Sequence, residues 1–173
     1  MGDMQTVYIL IGAPGCGKTS WALQNAGRLG ATILSVDVVR DEIRRNGGDP
    51  FDGDRVFNEL SARLAERLAG GASVILDATH WQRPYRAYAV NCARASGAKV
   101  VAIWFDIPLA VCLRNNETRL GNSPGLRRED PETIRRIHIG LELPSIEDFD
   151  EIWRIQDVNQ RVMRGDDDTG RNS

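Results

Sequence analysis

The feature that most constrains this sequence is a glycine-rich stretch at residues 12–19, GAPGCGKT, directly after the apolar run at residues 7–11. Its glycines allow turns in which backbone N–H groups converge on an anion, and a following helix would add the partial positive charge of its N-terminus. The helix-like residues 20–24 continue the pattern, which favours this interpretation over a structural glycine-rich turn. The stretch therefore predicts a strand, a phosphate-binding loop and a helix, in that order.

Residues 12–19 fill every fixed position of G-x-x-x-x-G-K-[ST], the P-loop or Walker A pattern. Lys18 is expected to reach the β and γ phosphates of ATP, as a catalytic residue, and the Thr19 hydroxyl to bind Mg²⁺. An exposed Cys16 would make the protein sensitive to alkylation. The residues predicted to bind the nucleotide are Gly12, Ala13, Pro14, Gly15, Cys16, Gly17, Lys18, Thr19 and Ser20.

Strand-like and helix-like segments alternate along the chain, which is typical of an α/β fold with a parallel sheet covered on both faces. Strands are predicted at residues 6–11, 32–36, 73–77, 99–106 and 152–155, with the last at an edge of the sheet. With 173 residues the chain has room for one domain, which is placed at residues 1–156. The polar residues 157–173 are predicted to be a partly disordered tail.

Composition narrows the possible partners and compartments. The formal net charge of −2 gives no overall attraction to a polyanion, so nucleic acid would have to bind a local patch. Three cysteines without a C-x-x-C pair support neither a disulfide framework nor a zinc site. The absence of a signal-like N-terminus and of an apolar run near ~20 residues predicts a cytoplasmic protein without a membrane partner. The oligomeric state stays open.

Aspartates follow three of the predicted strands: Asp37 the second, Asp77 the third and Asp106 the fourth. Parallel strands end at one edge of the sheet, where ligands bind. In the strand order 2-3-1-4-5 that is common in P-loop kinases, Asp37 would lie roughly 10 Å from the phosphate loop. A carboxylate there could accept the proton of an attacking hydroxyl. The alternative is that Asp37 only caps the following helix.

The other two aspartates have different expected roles. Asp77 could hold Mg²⁺ through water or position an arginine, or it could cap a helix, whereas Asp106 precedes a helix start and is expected to cap it. Neither is followed by Glu, so the acid pair with which many hydrolytic motors activate water is missing. Transfer to an acceptor is therefore favoured over hydrolysis.

Arginines are predicted on the acceptor side and in a helical lid at about residues 114–140. Arg40, three residues after Asp37, would share a helix face with it and could bind an acceptor phosphate. Arg119 is the first candidate and Arg114 the second for neutralising charge in the transition state. For the later arginines, the alternative is a solvated charged surface; they are Arg127, Arg128, Arg135 and Arg136. Thr79, His80 and Arg83 are predicted to contact the substrate, and Trp81, Tyr85 and Tyr88 either stack on a base or pack in the core.

Four ordered stretches, GAPGCGKTSWA, SVDVVR, LDATHWQRPYR and FDIPLAVCLRNNETR, resemble the kinase domain of phage and bacterial polynucleotide 5'-kinases, within the AAA-like P-loop kinases. The resemblance spans roughly residues 6–155. It implies Asp37 as general base, Arg40 as the ligand of the phosphate 3' to the accepting nucleoside, and Asp77 in acceptor binding. The implied reaction moves the γ-phosphate of ATP to a 5'-hydroxyl of DNA or RNA, with a lid arginine near Arg119.

Two departures from that family stand out. One extra residue separates Arg114 from Arg119, and Cys16 stands where serine is common. Residues 142–150 also resemble a segment shared by a wider set of P-loop kinases, some of which phosphorylate small molecules. A small-molecule phosphotransferase acting on a sugar, nucleoside or antibiotic is therefore one alternative. A nucleotide-binding module without catalysis is the other, and Asp37 speaks against it because such a module needs no base.

Overall fold

Five parallel strands form one sheet in the order β2-β3-β1-β4-β5 in the computed structural model, which describes residues 4–119 and 127–157. The predicted strand order is confirmed. The strands are β1 (Thr6–Ile11), β2 (Ala31–Ser35), β3 (Ser73–Asp77), β4 (Lys99–Phe105) and β5 (Glu151–Ile155). In register, Val7 lies between Val74 of β3 and Val100 of β4, so the strand that leads into the phosphate loop is central.

Helices connect the strands and cover both faces of the sheet. They are α1 (Lys18–Leu29), α2 (Val36–Arg45), α3 (Gly53–Ala69), α4 (Arg83–Ala95), α5 (Leu109–Glu117) and α6 (Pro131–Ile139). One hydrophobic cluster joins the sheet to α2, α3 and α4, and a second joins it to α1, α5 and α6. The architecture is therefore the three-layer α/β arrangement that the alternating pattern predicts.

The central strand explains why the sheet needs both layers. Val7, Ile9 and Ile11 point into the first cluster, while Tyr8 and Leu10 point into the second. Side chains alternate across a strand, so an unbroken apolar run buries both faces. This burial fixes the end of β1, and with it the phosphate loop, at the carboxyl edge of the sheet.

The start of α2 differs from the prediction. The second strand was expected to continue through Val36 with a helix from Val38, but β2 ends at Ser35 and α2 begins at Val36. Val36 extends the apolar run in sequence, yet Asp37 in the first helical turn suits the positive end of the helix dipole. Asp37 therefore lies inside the helix, and the N-cap residue is Ser35.

Two predicted segments fall partly outside the described residues. They are the predicted lid at about residues 114–140, of which residues 120–126 are not described, and the polar tail, of which only Asp157 is described. Among the described helices, none combines the length and apolar character needed to cross a bilayer.

Candidate active site

The phosphate loop joins β1 to α1 through two left-handed glycines, Gly15 at φ 85° and Gly17 at φ 95°. A Cβ atom on Gly15 would lie 2.2 Å from the carbonyl oxygen of Cys112 in α5. Gly15 is thus required both by the backbone conformation and by the close approach of α5. Gly17 is the N-cap residue of α1, so the positive end of that helix faces the concave side of the loop.

Lys18 folds back over the loop that precedes it. Its Nζ donates hydrogen bonds to the carbonyl oxygens of Gly12 at 2.9 Å and Ala13 at 2.8 Å, and the side chain is only 8% exposed. A buried ammonium group needs such partners. Phosphate oxygens are stronger acceptors for it than neutral carbonyls, so a bound polyphosphate would compete for the same protons.

Asp77 lies at the end of β3, next to the phosphate loop. Its Oδ2 accepts a hydrogen bond from the Thr19 hydroxyl at 2.8 Å. The N-cap residue of the next helix, α4, is Gln82, so Asp77 does not cap it. Burial raises the pKa of Asp77, against the opposing effects of Lys18 and Thr19. Asp37 raises this pKa further and Arg119 lowers it. Both side chains therefore lie within electrostatic reach of Asp77.

The first turn of α2 places Asp37 half-buried beside this group. Among the described residues its carboxylate has no hydrogen-bond partner, so its lone pairs remain available to a hydroxyl group. Arg40 is exposed and has no ionic partner within the described parts of the chain. Because Asp37 and Arg40 are three positions apart on a helix, their side chains are neighbours on the same helix face.

Of the two predicted lid arginines, Arg119 is the one whose charge acts on Asp77 beside the phosphate loop. Arg119 follows α5, and its charge lowers the pKa of Cys112 as well as that of Asp77. The effect of burial on Cys112 is larger and raises its pKa to about 12. Arg119 Nη1 donates to the carbonyl oxygen of Arg127 at 3.2 Å. Arg114 is exposed on α5 and makes no contact with a described residue that would direct it to the loop.

Thr79 and His80 tie the segment after β3 to β1. The Thr79 carbonyl accepts from the Gly12 amide at 3.0 Å. His80, at φ 43°, is 3% exposed, with Nδ1 3.0 Å from the Leu10 carbonyl oxygen and Nε2 3.2 Å from the Tyr88 hydroxyl. A carbonyl only accepts, so Nδ1 carries the proton and Nε2 accepts from Tyr88. Burial lowers the pKa of His80 to about 4. Its ring points into the protein, which supports a structural role.

Arg83 lies at the start of α4, where it contacts the segment before β5. Its side chain pairs with Asp148 at 2.9 Å, and its amide donates to Glu142 Oε2 at 2.7 Å. The neighbouring aromatic rings pack on one another: Tyr85 stacks with Trp81 at 6.0 Å and with Phe57 at 5.9 Å between centroids. Tyr85 therefore packs against two protein rings, while 39% of the residue stays exposed.

Cys16 does not meet the condition for alkylation, because it is 1% exposed and burial raises the pKa of its thiol. One expectation is wrong. Asp106 does not cap α5, whose N-cap residue is Pro108. Instead its carboxylate accepts a hydrogen bond from Arg154 Nε at 3.0 Å, because β5 brings that side chain alongside the end of β4.

Sequence reasoning missed two asparagines at the end of α5. Asn115 Nδ2 donates to the Gly15 carbonyl at 2.9 Å, which links α5 to the phosphate loop. Asn116 is buried, donating to the Glu129 carbonyl at 2.8 Å and accepting from the Glu129 amide at 2.9 Å. An amide side chain carries a donor and an acceptor side by side, so it pairs with both backbone groups of one residue. The Asn115-Asn116 pair between two arginines was the available signal.

The glycine loop, its lysine and the sheet order define a P-loop domain with the topology of P-loop kinases. The chain belongs to the AAA domain family, whose model matches residues 7–143. No curated protein matches the sequence.

Solved structures share this fold at low sequence identity. A gluconokinase from Sinorhizobium meliloti is 20% identical with a TM-score of 0.60, covering 91% of this chain and 85% of that one. The Mycobacterium tuberculosis APS kinase CysC, in complex with AMPPNP and APS, is 18% identical with a TM-score of 0.60, covering 87% and 88%. A chain of the Pnkp1/Rnl/Hen1 complex is 23% identical with a TM-score of 0.55, but only 41% of it is covered, by 69% of this chain.

Proposed function

We propose that this protein is an ATP-dependent kinase that transfers the γ-phosphate of ATP to a 5'-hydroxyl end of DNA or RNA. The observation that carries the proposal is the position of Asp37, a half-buried carboxylate without a hydrogen-bond partner in the described residues, within electrostatic reach of Asp77 and hence of the phosphate loop. A carboxylate so placed has a task in transfer to an acceptor, which nucleotide binding alone does not require.

The phosphate loop residues, from Gly12 to Ser20, bind the nucleotide in this proposal. Backbone N–H groups and the N-terminus of α1 face the phosphates, and Lys18 moves its ammonium protons from the carbonyls of Gly12 and Ala13 to phosphate oxygens. Asn115 holds the Gly15 carbonyl in place meanwhile. The loop therefore fixes the γ-phosphorus at the carboxyl edge of the sheet.

Asp37 acts as the general base. Its carboxylate accepts the proton of the acceptor hydroxyl while that oxygen forms a bond to the γ-phosphorus. The bond between this phosphorus and the β–γ bridging oxygen breaks, and ADP leaves with the electron pair. Arg119 neutralises the negative charge on the transferring phosphoryl group, and Arg114 on α5 is the second candidate for that role.

Thr19 and Asp77 fit a Mg²⁺ ion. Their paired oxygens, 2.8 Å apart, are the hard donors this ion prefers, and the raised pKa of Asp77 reflects a buried carboxylate for which a cation would compensate. Within the described residues no group of three acidic, histidine or cysteine side chains could hold a metal. Phosphate oxygens and water would therefore complete the coordination, and the ion would neutralise phosphate charge.

Arg40 favours an anionic acceptor. It carries a guanidinium group without an ionic partner among the described residues, one helical turn from the proposed base. A nucleotide acceptor would offer its 3'-phosphate there, which is the role implied by the resemblance to polynucleotide kinases. In this proposal, Thr79 and His80 support the acceptor side through their contacts with the backbone of Gly12 and Leu10 and do not bind the acceptor directly. Arg83 is paired with Asp148, so Arg40 is the preferred ligand of the acceptor phosphate.

A small anionic molecule is the second candidate acceptor. The gluconokinase and APS kinase structures match over 85% and 88% of their own lengths, unlike the chain from the Pnkp1 complex. A sugar acid or another compound with one anionic group could also use Asp37 and Arg40. In this case the kinase chemistry is unchanged and only the acceptor differs.

One experiment separates these candidates. Purified protein, Mg²⁺ and ATP labelled on the γ-phosphate would be offered 5'-hydroxyl DNA, 5'-hydroxyl RNA, nucleoside 3'-monophosphates, gluconate, or no acceptor. Label on the oligonucleotides supports the first candidate, and label on small acceptors alone supports the second. Nucleotide binding without any transfer would contradict both.

A further inference from the structure

Asp41 lies one turn after Asp37 on α2 and is paired with arginines from two directions. Its Oδ1 accepts from Arg44 Nη1 at 2.5 Å and forms an ion pair with Arg127 Nη2 at 3.4 Å. The Asp41 side chain is only 12% exposed, which is low for an acidic residue on a helix surface. The second pair joins α2 to the residues that precede α6, 86 positions away in sequence.

Arg127 in turn contacts the catalytic arginine of the proposed mechanism. Its carbonyl oxygen accepts from Arg119 Nη1 at 3.2 Å, and the neighbouring Arg128 Nε donates to the Arg119 carbonyl at 3.0 Å. Asn116 anchors the same segment through both backbone groups of Glu129. A continuous set of contacts therefore runs from Asp41 through Arg127 to Arg119.

We propose that Asp41 is a positioning residue that sets the location of the Arg119 guanidinium through Arg127. The inference rests on the proposed function, since it takes Arg119 as the cation that neutralises the transferring phosphoryl group. Asp41 itself touches neither substrate nor reacting atoms. Because α2 also carries Asp37 and Arg40, this contact holds the base, the acceptor ligand and the lid arginine in one fixed relation.

A purely structural role predicts something different. A partly exposed ion pair contributes little to folding stability, so its loss would leave the melting temperature and the turnover nearly unchanged. A misplaced catalytic cation lowers turnover strongly even when substrates still bind. A lower kcat with an unchanged KM would therefore indicate a positioning role for Asp41.

The kinetic test uses Asp41→Asn, Arg127→Gln, the double variant and the conservative Asp41→Glu, with Glu42→Gln as matched control. Glu42 lies on the same helix and pairs at 2.6 Å with Arg63 of α3, away from Arg127. With a 5'-hydroxyl oligothymidylate as acceptor, either neutral substitution should lower kcat about tenfold with little change in KM for ATP. The double variant should be no slower than either single one, and Asp41→Glu should recover most of the rate.

The proposal would be overturned if Asp41→Asn turned over as fast as Glu42→Gln. It would also be overturned if the losses caused by Asp41→Asn and Arg127→Gln multiplied in the double variant.

A second measurement does not depend on the acceptor: hydrogen exchange of residues 114–119 and 127–131 with AMPPNP and Mg²⁺ bound. Exchange in both segments should rise in Asp41→Asn and Arg127→Gln but not in Glu42→Gln. If the wild-type protein labels no oligonucleotide, the proposed acceptor is wrong, and unchanged exchange in the variants would separately refute the link.

Discussion

The Thr19 hydroxyl donates a 2.8 Å hydrogen bond to Asp77, and this bond joins the first turn of α1 to the end of β3. It connects the helix that follows the phosphate loop with the strand that pairs with β1, although the two residues are 58 positions apart. The oxygen that would bind Mg²⁺ and the carboxylate that would support it are thus already aligned.

Removal of this bond should affect both activity and stability. In Thr19→Val the buried Asp77 carboxylate loses its donor, which should destabilise the protein by about 2 kcal/mol and lower turnover at least ~10²-fold. Thr19→Ser keeps the hydroxyl and is the matched control. Thermal denaturation and steady-state kinetics measure the two effects. A Thr19→Val protein with normal turnover at low Mg²⁺ would rule out Thr19 as the metal ligand.

His80 should make the protein less stable in mild acid. The unfolded imidazole takes up a proton near its ordinary pKa of 6.5, whereas the folded one does so only near 4. Between those values the unfolded state binds more protons, so stability falls as pH falls, by roughly 3 kcal/mol over the whole window.

His80→Asn tests this assignment. Asparagine tolerates the left-handed backbone at this position but does not titrate. The variant should be less stable than the wild type at pH 7.5, because the Leu10 and Tyr88 contacts change. The difference should shrink as pH falls from 6.5 to 4.5. Melting temperatures that stay parallel over this range would contradict the buried neutral histidine.

The cysteines should differ in reactivity. Cys16 and Cys112 are buried and Cys92 is half-buried, so native protein treated with iodoacetamide should be labelled first at Cys92. Burial raises the pKa of all three thiols, so labelling should be slow throughout. Peptide mass spectrometry gives the order. Modification of Cys16 as fast as Cys92 would mean that the phosphate loop opens readily.

Much of the fold follows from local signals in the sequence. The apolar runs locate the strands, residues 12–19 fix the loop between the central strand and α1, and parallel connections place Asp37 and Asp77 at one edge. These features depend on periodicity and on a motif whose residues are adjacent in sequence.

Other features depend on contacts that the sequence does not display. His80 is buried and has a left-handed backbone conformation, and the Asp41–Arg127 and Asn115–Gly15 contacts join residues 86 and 100 positions apart. Cys16 is buried because α5 packs against the loop. Such pairings are set by tertiary packing rather than by local pattern, so the sequence can point to a residue such as Asn115 but not to its partner.

We propose that Asp37 is the base for transfer of the phosphoryl group from bound ATP. In Asp37→Asn, kcat with the acceptor identified by the labelling panel should fall ~10²-fold or more while ATP affinity is retained. Asp54→Asn is the matched control, since Asp54 also lies in a first helical turn, that of α3, but is exposed.

The direct measurement is single-turnover phosphoryl transfer by Asp37→Asn with saturating Mg²⁺ and ATP. We expect a rate at least ~10²-fold below those of the wild type and Asp54→Asn, with nucleotide binding unchanged. Transfer by Asp37→Asn at the wild-type rate would contradict the proposal.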